Sequence, residues 1–121
     1  MNTLGIDYGK KRIGLAWVQS GLDVVLPYGV IKGEMEELVN FIKKEKIDKL
    51  VMGMPIGLDG KENQNTKRVR TFAENLEYKT GLKVEFIDER YTSAEADNMG
   101  GEVSRDEKAA MIILQNYLDR L

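Results

Sequence analysis

Leu4 and Ile6 alternate with Gly5 and Asp7, the period-two pattern of a strand with one apolar face, and Gly9 then opens a turn. The run RIGLAWV reads as the returning strand of a hairpin. Ser20, Gly21 and Asp23 form the next turn, and VVLPYGVI follows as a third strand, in which Pro27 points to a sheet edge or a bulge. From Glu34 the period changes. Met35, Leu38, Val39 and Ile42 lie on one face of a helix, with Glu34, Glu36 and Glu37 at its start and Lys43, Lys44 and Lys46 near its end, as the helix dipole favours. KLVMGMP is almost uniformly apolar, the mark of a strand covered on both faces. IGLDGKENQN reads as a loop. Val69, Phe72, Ala73 and Leu76 restore the helical spacing, and Gly81 stops it.

KVEFID is a fifth strand running into Asp88 and Glu89. Thr92 and Glu95 have capping-box spacing, which predicts a short helix at TSAEA, and NMGGEVS reads as a flexible loop. Ser104 and Glu107 repeat that spacing, and Ala109, Ala110, Ile113, Leu114, Tyr117 and Leu118 give a last helix one continuous apolar face. The order is β-β-β-α-β-α-β-α. Three strands joined by short turns form an antiparallel meander, whereas strands separated by helices run parallel through right-handed crossovers. The expected architecture is therefore an α/β, ribonuclease-H-like fold: a five-stranded mixed sheet flanked by helices.

At 121 residues the chain is expected to be one domain, spanning 1–121 and burying roughly two-thirds of its unfolded surface. With 42% hydrophobic and 31% charged residues and two prolines, it has a globular rather than a disordered composition. No apolar run approaches a membrane span and no signal-peptide pattern opens the chain, so no membrane association and a cytoplasmic location are expected. Cysteine and histidine are absent, which excludes disulfides, thiolate nucleophiles and His-based acid–base chemistry. Chemistry must run on carboxylates, Lys, Arg, Tyr, hydroxyls or a hard cation. The net charge of −2 argues against broad nucleic-acid affinity, which needs clustered cations. Two local clusters remain, Lys10, Lys11 and Arg12, and Lys61, Lys67, Arg68 and Arg70, each of which also reads as a solvated face.

An acid at the mouth of a buried apolar strand is costly unless positive charge compensates it, and Asp7 stands at such a place. It could instead cap the following turn. Glu89, beside Asp88, ends the fifth strand; either could favour a following helix, and strand alternation lets only one of the two face a site built on Asp7. Asp106 falls on the apolar, sheet-facing side of the last helix, although Glu107 could serve the dipole from the solvent side. Carboxylates gathered from distant segments suit phosphodiester cleavage. Two Mg²⁺ ions about 3.5–4 Å apart activate a water and stabilise the leaving oxygen without any histidine.

The stretches IDYGKKRIGLAW, VMGMPIGLDGKE, FIDERYTSAEA and DEKAAMIILQNYLD together resemble the YqgF/RuvX-like family, in that family's order and over nearly the whole chain. The resemblance implies a ribonuclease-H-like nuclease assigned either to Holliday junctions or to precursor 16S ribosomal RNA. It places the catalytic, metal-binding acids at Asp7, Glu89 and Asp106, with Mg²⁺ or Mn²⁺ as cofactor. It also implies that MGMPIGLDG lines the cleft and that Lys61, Arg90 and Arg12 lie near substrate phosphates, with Lys11 beside them. One departure stands out: only DNMGGEVSR separates the SAEA segment from Asp106, where relatives often carry a longer, lysine-bearing loop. That shortening weakens the expectation of junction binding more than that of metal binding.

The leading expectation is a metal-dependent endonuclease acting on structured or precursor RNA, with branched DNA as the alternative substrate. ATP binding of the actin and sugar-kinase type also uses an Asp-x-Gly turn, but those proteins enclose the nucleotide between two such domains. A non-catalytic module that binds RNA or a ribosome-assembly factor is the third reading. A monomer and a homodimer are equally compatible with the sequence; Trp17, Tyr28 and Tyr117 are read as core before interface.

Overall fold

The computed structural model describes residues 2–9, 11–19, 21, 24–32, 34–55, 61–88 and 104–120. Strands β1 (Thr3–Tyr8), β2 (Ile13–Val18) and β3 (Leu26–Ile31) are followed by helix α1 (Met35–Lys44), strand β4 (Lys49–Met54), helix α2 (Gln64–Thr80), strand β5 (Val84–Asp88) and helix α3 (Arg105–Asp119). The sheet order is β3-β2-β1-β4-β5. β1 pairs antiparallel with β2, and β2 with β3, whereas β1–β4 and β4–β5 are parallel. This is the expected five-stranded mixed sheet. The short helix expected at TSAEA and the NMGGEV part of the loop after it lie outside the described residues.

Local chemistry sets the element boundaries. The Gly9 N–H donates to the Arg12 carbonyl at 2.9 Å and closes the first hairpin. Pro27 sits where the sequence placed it, on the edge strand and at a register shift: Leu15 faces Gly29 but Ala16 faces Pro27, so Tyr28 is the extra residue of a bulge. Gly81 ends α2 in the left-handed region at φ +74, its N–H donating to the Glu77 carbonyl at 2.8 Å. The loop expected through Asn65 ends earlier. Asn63 caps α2 by accepting from the Asn65 and Thr66 N–H groups at 2.9 and 3.2 Å, and the Thr66 hydroxyl accepts from the Asn63 N–H at 3.1 Å. An Asn-x-x-Thr box satisfies the same orphan donors as the more familiar Ser-x-x-Glu.

The sheet is covered on both sides. Leu4, Ile6, Leu50, Met52 and Val84 point to the face packed by Leu38 and Ile42 of α1 and Val69, Phe72 and Leu76 of α2. Val51 and Ile87 point to the other, packed by Ile113, Leu114 and Tyr117 of α3. β4 lies between two neighbours and is buried from Leu50 to Met54, as its uniformly apolar sequence requires. Of the three large aromatics expected in the core, Tyr117 is buried and Trp17 half-buried, but Tyr28 is exposed. Its place on the edge strand leaves it leaning on Trp17 and Phe41, with ring centroids 5.2 and 4.1 Å away, and one side open.

Candidate active site

Because β1, β4 and β5 run parallel, their C-terminal ends lie at one end of the sheet, and Asp7, Met54 and Asp88 stand there together. Alternation along β1 turns Gly5 and Asp7 toward α3, while Leu4 and Ile6 enter the opposite core. Asp7 is half-buried and pairs in register with Gly14. Gly14 is the floor on which α3 starts: a Cβ there would lie 2.0 Å from the Asp106 carbonyl oxygen and 3.0 Å from the Asp106 Cβ. One turn further, a Cβ on Gly5 would meet the Ala110 carbonyl and Leu114 Cβ, each at 2.9 Å. Two strand glycines on one face therefore let the helix backbone settle against the sheet, bringing Asp106 over the residue that pairs with Asp7.

Arg12 completes the cluster. Its Nε lies 3.0 Å from Asp106 Oδ2, with the arginine side chain 67% exposed and the aspartate side chain 27% exposed. Such an exposed pair contributes little to stability, so its weight is in orientation: it holds a cation and a carboxylate beside Asp7 at the open end of the sheet. Residues 7 and 12 of the first hairpin and residue 106, far along the chain, thus share one corner.

Continuing the β1–β4 register one residue beyond Ile6 and Met52 places Gly53 in line with Asp7, and Gly53 itself pairs with Ile87. No side chain from β4 rises between Asp7 and β5. On β5, Ile87 packs toward α3 and Val84 toward α1 and α2, so alternation sends Asp88 to the face away from Asp7. Glu89 and Arg90 lie outside the described residues, as do positions 56–60 of the loop expected to line the cleft. Lys11 is exposed beside Arg12, and Lys61 is exposed ahead of α2. Arg70 is drawn off by an ion pair with Glu62.

Among the described residues no group of three acids stands close enough to hold a metal ion. The donor set that is described is nonetheless of one kind: Asp7 and Asp106 offer hard carboxylate oxygens, and the chain offers no imidazole or thiolate. That chemistry fits Mg²⁺ or Mn²⁺ rather than a soft metal. A cation engaging Asp106 would share or displace Arg12.

Two features of this corner are not among the candidates that charge and spacing pick out. Gly14 has one signal, since a glycine inside a strand is the usual sign of close backbone approach. Tyr8 turns to the face opposite Asp7 and stacks on Phe72, with ring centroids 4.1 Å apart.

A family model described as "RuvX: Holliday junction resolvase" matches residues 1–120. A protein of Dictyoglomus turgidum, named as a candidate pre-16S rRNA nuclease, is 39% identical over 140 aligned positions that cover 100% of this chain and 96% of the relative. One of the same name from Dictyoglomus thermophilum is 38% identical over 137 positions, covering 98% and 96%. Among solved structures, Thermus thermophilus RuvC in complex with a Holliday junction substrate superposes with a TM-score of 0.67 at 13% identity, covering 99% of this chain and 95% of that one. At that identity the likeness establishes a common fold.

Proposed function

The chain belongs to the RuvX family, and from that premise we propose that it is a metal-dependent endonuclease that hydrolyses phosphodiester bonds in precursor 16S ribosomal RNA, in the cytoplasm. The observation that carries this reading is that Asp7 pairs with Gly14, against which the start of α3 at Asp106 rests, with Arg12 bound to Asp106. Packing of α3 on Gly5 and Gly14 needs no charge at either place, so two acids in this corner where the sheet opens are not explained by packing. An electrophile that binds between them gives the pair a use.

Asp7, Asp106 and Glu89 would hold Mg²⁺ or Mn²⁺. Glu89 is preferred over its neighbour because Asp88 follows the alternation of the opposite face. When bound, the ions supply an ionised water as nucleophile and charge stabilisation for the leaving oxygen. Asp7, on the strand flanked by β2 and β4, would be the ligand held by the central part of the sheet. Arg12, tethered at one end by Asp106 and largely exposed, can turn its remaining N–H donors to a substrate phosphate. Lys11 and Lys61 extend the positive surface on either side, and Arg90 would join them.

The names of the relatives in Dictyoglomus favour ribosomal RNA as substrate. The short DNMGGEVSR segment, with one cation in nine residues, leaves little charge there to grip a branched duplex. The test is cleavage of labelled precursor 16S RNA, with a four-way DNA junction in parallel, by wild type and Asp7→Asn in Mg²⁺, Mn²⁺ or EDTA. Metal-dependent products from the RNA, reduced at least 10²-fold in a variant with an unchanged melting temperature, are expected. Equal cleavage by Asp7→Asn would refute the role of Asp7, and cleavage of the junction alone would transfer the activity to DNA.

A further inference from the structure

On the far side of β1 from Asp7 lies an open cavity of about 460 Å³ lined by Tyr8, Lys67, Arg68, Thr71, Phe72 and Asn75. We propose that it is a subsite for one unpaired nucleotide of the RNA strand that the neighbouring site cleaves, an inference that rests on the nuclease reading above.

Its place follows from strand geometry. Tyr8 directly succeeds Asp7, so their Cα atoms are about 3.8 Å apart, yet alternation points the two side chains to opposite faces. A strand bound at Asp7 therefore need only pass round the tip of β1 to reach Tyr8. α2 brings its first turns to the same end, because the Thr66 hydroxyl donates to the Pro55 carbonyl just beyond β4.

The lining has the composition a nucleotide needs. Tyr8 and Phe72 present stacked rings inclined by 24°, and the Arg68 guanidinium carbon lies 5.9 Å from the Tyr8 centroid. A ring pair with an adjacent guanidinium is a stacking platform that accepts any base. Among the described residues Lys67 has no ion pair, and the buried Nε of Arg68 has no hydrogen-bond partner. An unsatisfied charged donor is costly, and a small movement of the side chain toward an incoming phosphate oxygen would satisfy it. Thr71 and Asn75 add a hydroxyl and an amide for a base edge or a ribose hydroxyl. Among the described residues no acid lines the cavity. The recess between α1 and α2 is a useful contrast: it is lined by Glu36, Val39, Asn40, Lys43 and Lys79, so it holds an acid and no ring. Free phosphate would leave the rings unused, and an apolar peptide would bury Lys67 and Arg68 without acceptors. A paired base could not enter between a strand tip and a helix, so the nucleotide is unpaired.

The test uses the intact protein in two measurements. In EDTA, an RNA hexanucleotide is titrated while the Arg68 Nε–H and Tyr8 ring resonances are followed; both are expected to shift and saturate. In Mg²⁺, Arg68→Met and Lys67→Gln are each compared with wild type on precursor RNA. A rise in KM of about tenfold with the loss falling on KM rather than kcat, and a salt slope shallower by about one, are expected. Cleavage by wild type with KM unchanged in both variants would overturn the subsite and leave the nuclease standing. Saturable shifts at Tyr8 and Arg68 without cleavage would sustain the subsite as a binding site and overturn the nuclease. Resonances that do not move would remove the subsite whatever the cleavage result. Lys67 is exposed, so Lys67→Gln still reports if Arg68→Met fails to fold.

Discussion

Replacing Gly14 with alanine tests how the site is assembled. The new Cβ would sit 2.0 Å from the Asp106 carbonyl oxygen and 2.4 Å from its carbonyl carbon. A carbon and a carbonyl oxygen approach without strain to about 3.3 Å, so the start of α3 must retreat by about 1.3 Å or β2 must bend away by as much. The obstacle is backbone held by the hydrogen bond from the Lys108 N–H to the Ser104 carbonyl at 2.9 Å, and no rotamer change relieves it. Overpacking of this kind costs about 1–3 kcal/mol, and a clash with main chain belongs at the upper end, about 3 kcal/mol. Asp106 moves with the helix. A misplacement near 1 Å in a catalytic group is worth about 10²-fold in rate. Urea denaturation of Gly14→Ala should therefore show a lower midpoint at unchanged m-value, and cleavage at saturating Mg²⁺ should fall by about two orders of magnitude in the folded fraction. Gly21→Ala is the control. Among the described residues nothing lies within 4 Å of that position, and the left-handed backbone at φ +83 opposes a side chain at a cost of about 1 kcal/mol. If Gly14→Ala were as stable and as active as wild type, the docking of α3 onto β2 described above would be wrong.

Thr66 is fully buried, and its hydroxyl both donates to Pro55 at 2.5 Å and serves the Asn63 cap. Thr66→Val keeps the shape but strands both partners, and should cost about 2 kcal/mol in urea denaturation; a loss below about 0.5 kcal/mol would remove its role in tying α2 to β4. The alkaline limb of stability has a structural origin as well. The Tyr28 phenol is raised above its ordinary 10.0 by burial and by the Glu45 carboxylate, and Lys49 is raised above 10.5 chiefly by its hydrogen bond to Tyr117, with Glu85 adding to it against partial burial. A raised folded-state pKa gives stability that is complete below the unfolded value and lost as pH rises through the folded one. Stability should thus hold from neutral pH to about pH 10 and then decline; Tyr28→Phe with Lys49→Met should flatten that decline, and identical slopes in the two proteins would refute the assignment.

Periodicity by itself was enough to determine the order of elements, because each segment's apolar face must be buried whatever its partner, and the change from a period of two to one of 3.6 reports which element does the burying. The uniformly apolar KLVMGMP declared a strand covered on both faces and became β4. Pro27 pointed to an edge or a bulge because it lacks an N–H, and β3 has both. Asp7 and Asp106 were legible as candidates since a carboxylate at an apolar boundary conflicts with its surroundings. Their meeting was not legible. It depends on Gly14 and Gly5, which carry no chemistry of their own and act by omitting a side chain under α3. The sequence left Asp88 and Glu89 as alternatives, and only the packing of Val84 and Ile87 onto opposite layers shows that Asp88 follows the face away from Asp7. Tyr8, Lys67 and Arg68 remained an aromatic in a strand and two cations in a helix until the parallel β1–β4 pairing set the end of β1 against the start of α2. Local hydrophobic pattern selects elements because burial acts on every residue at once; a site depends on which ends of those elements are brought together, and that is settled by the crossovers and by the few places where the backbone can come close.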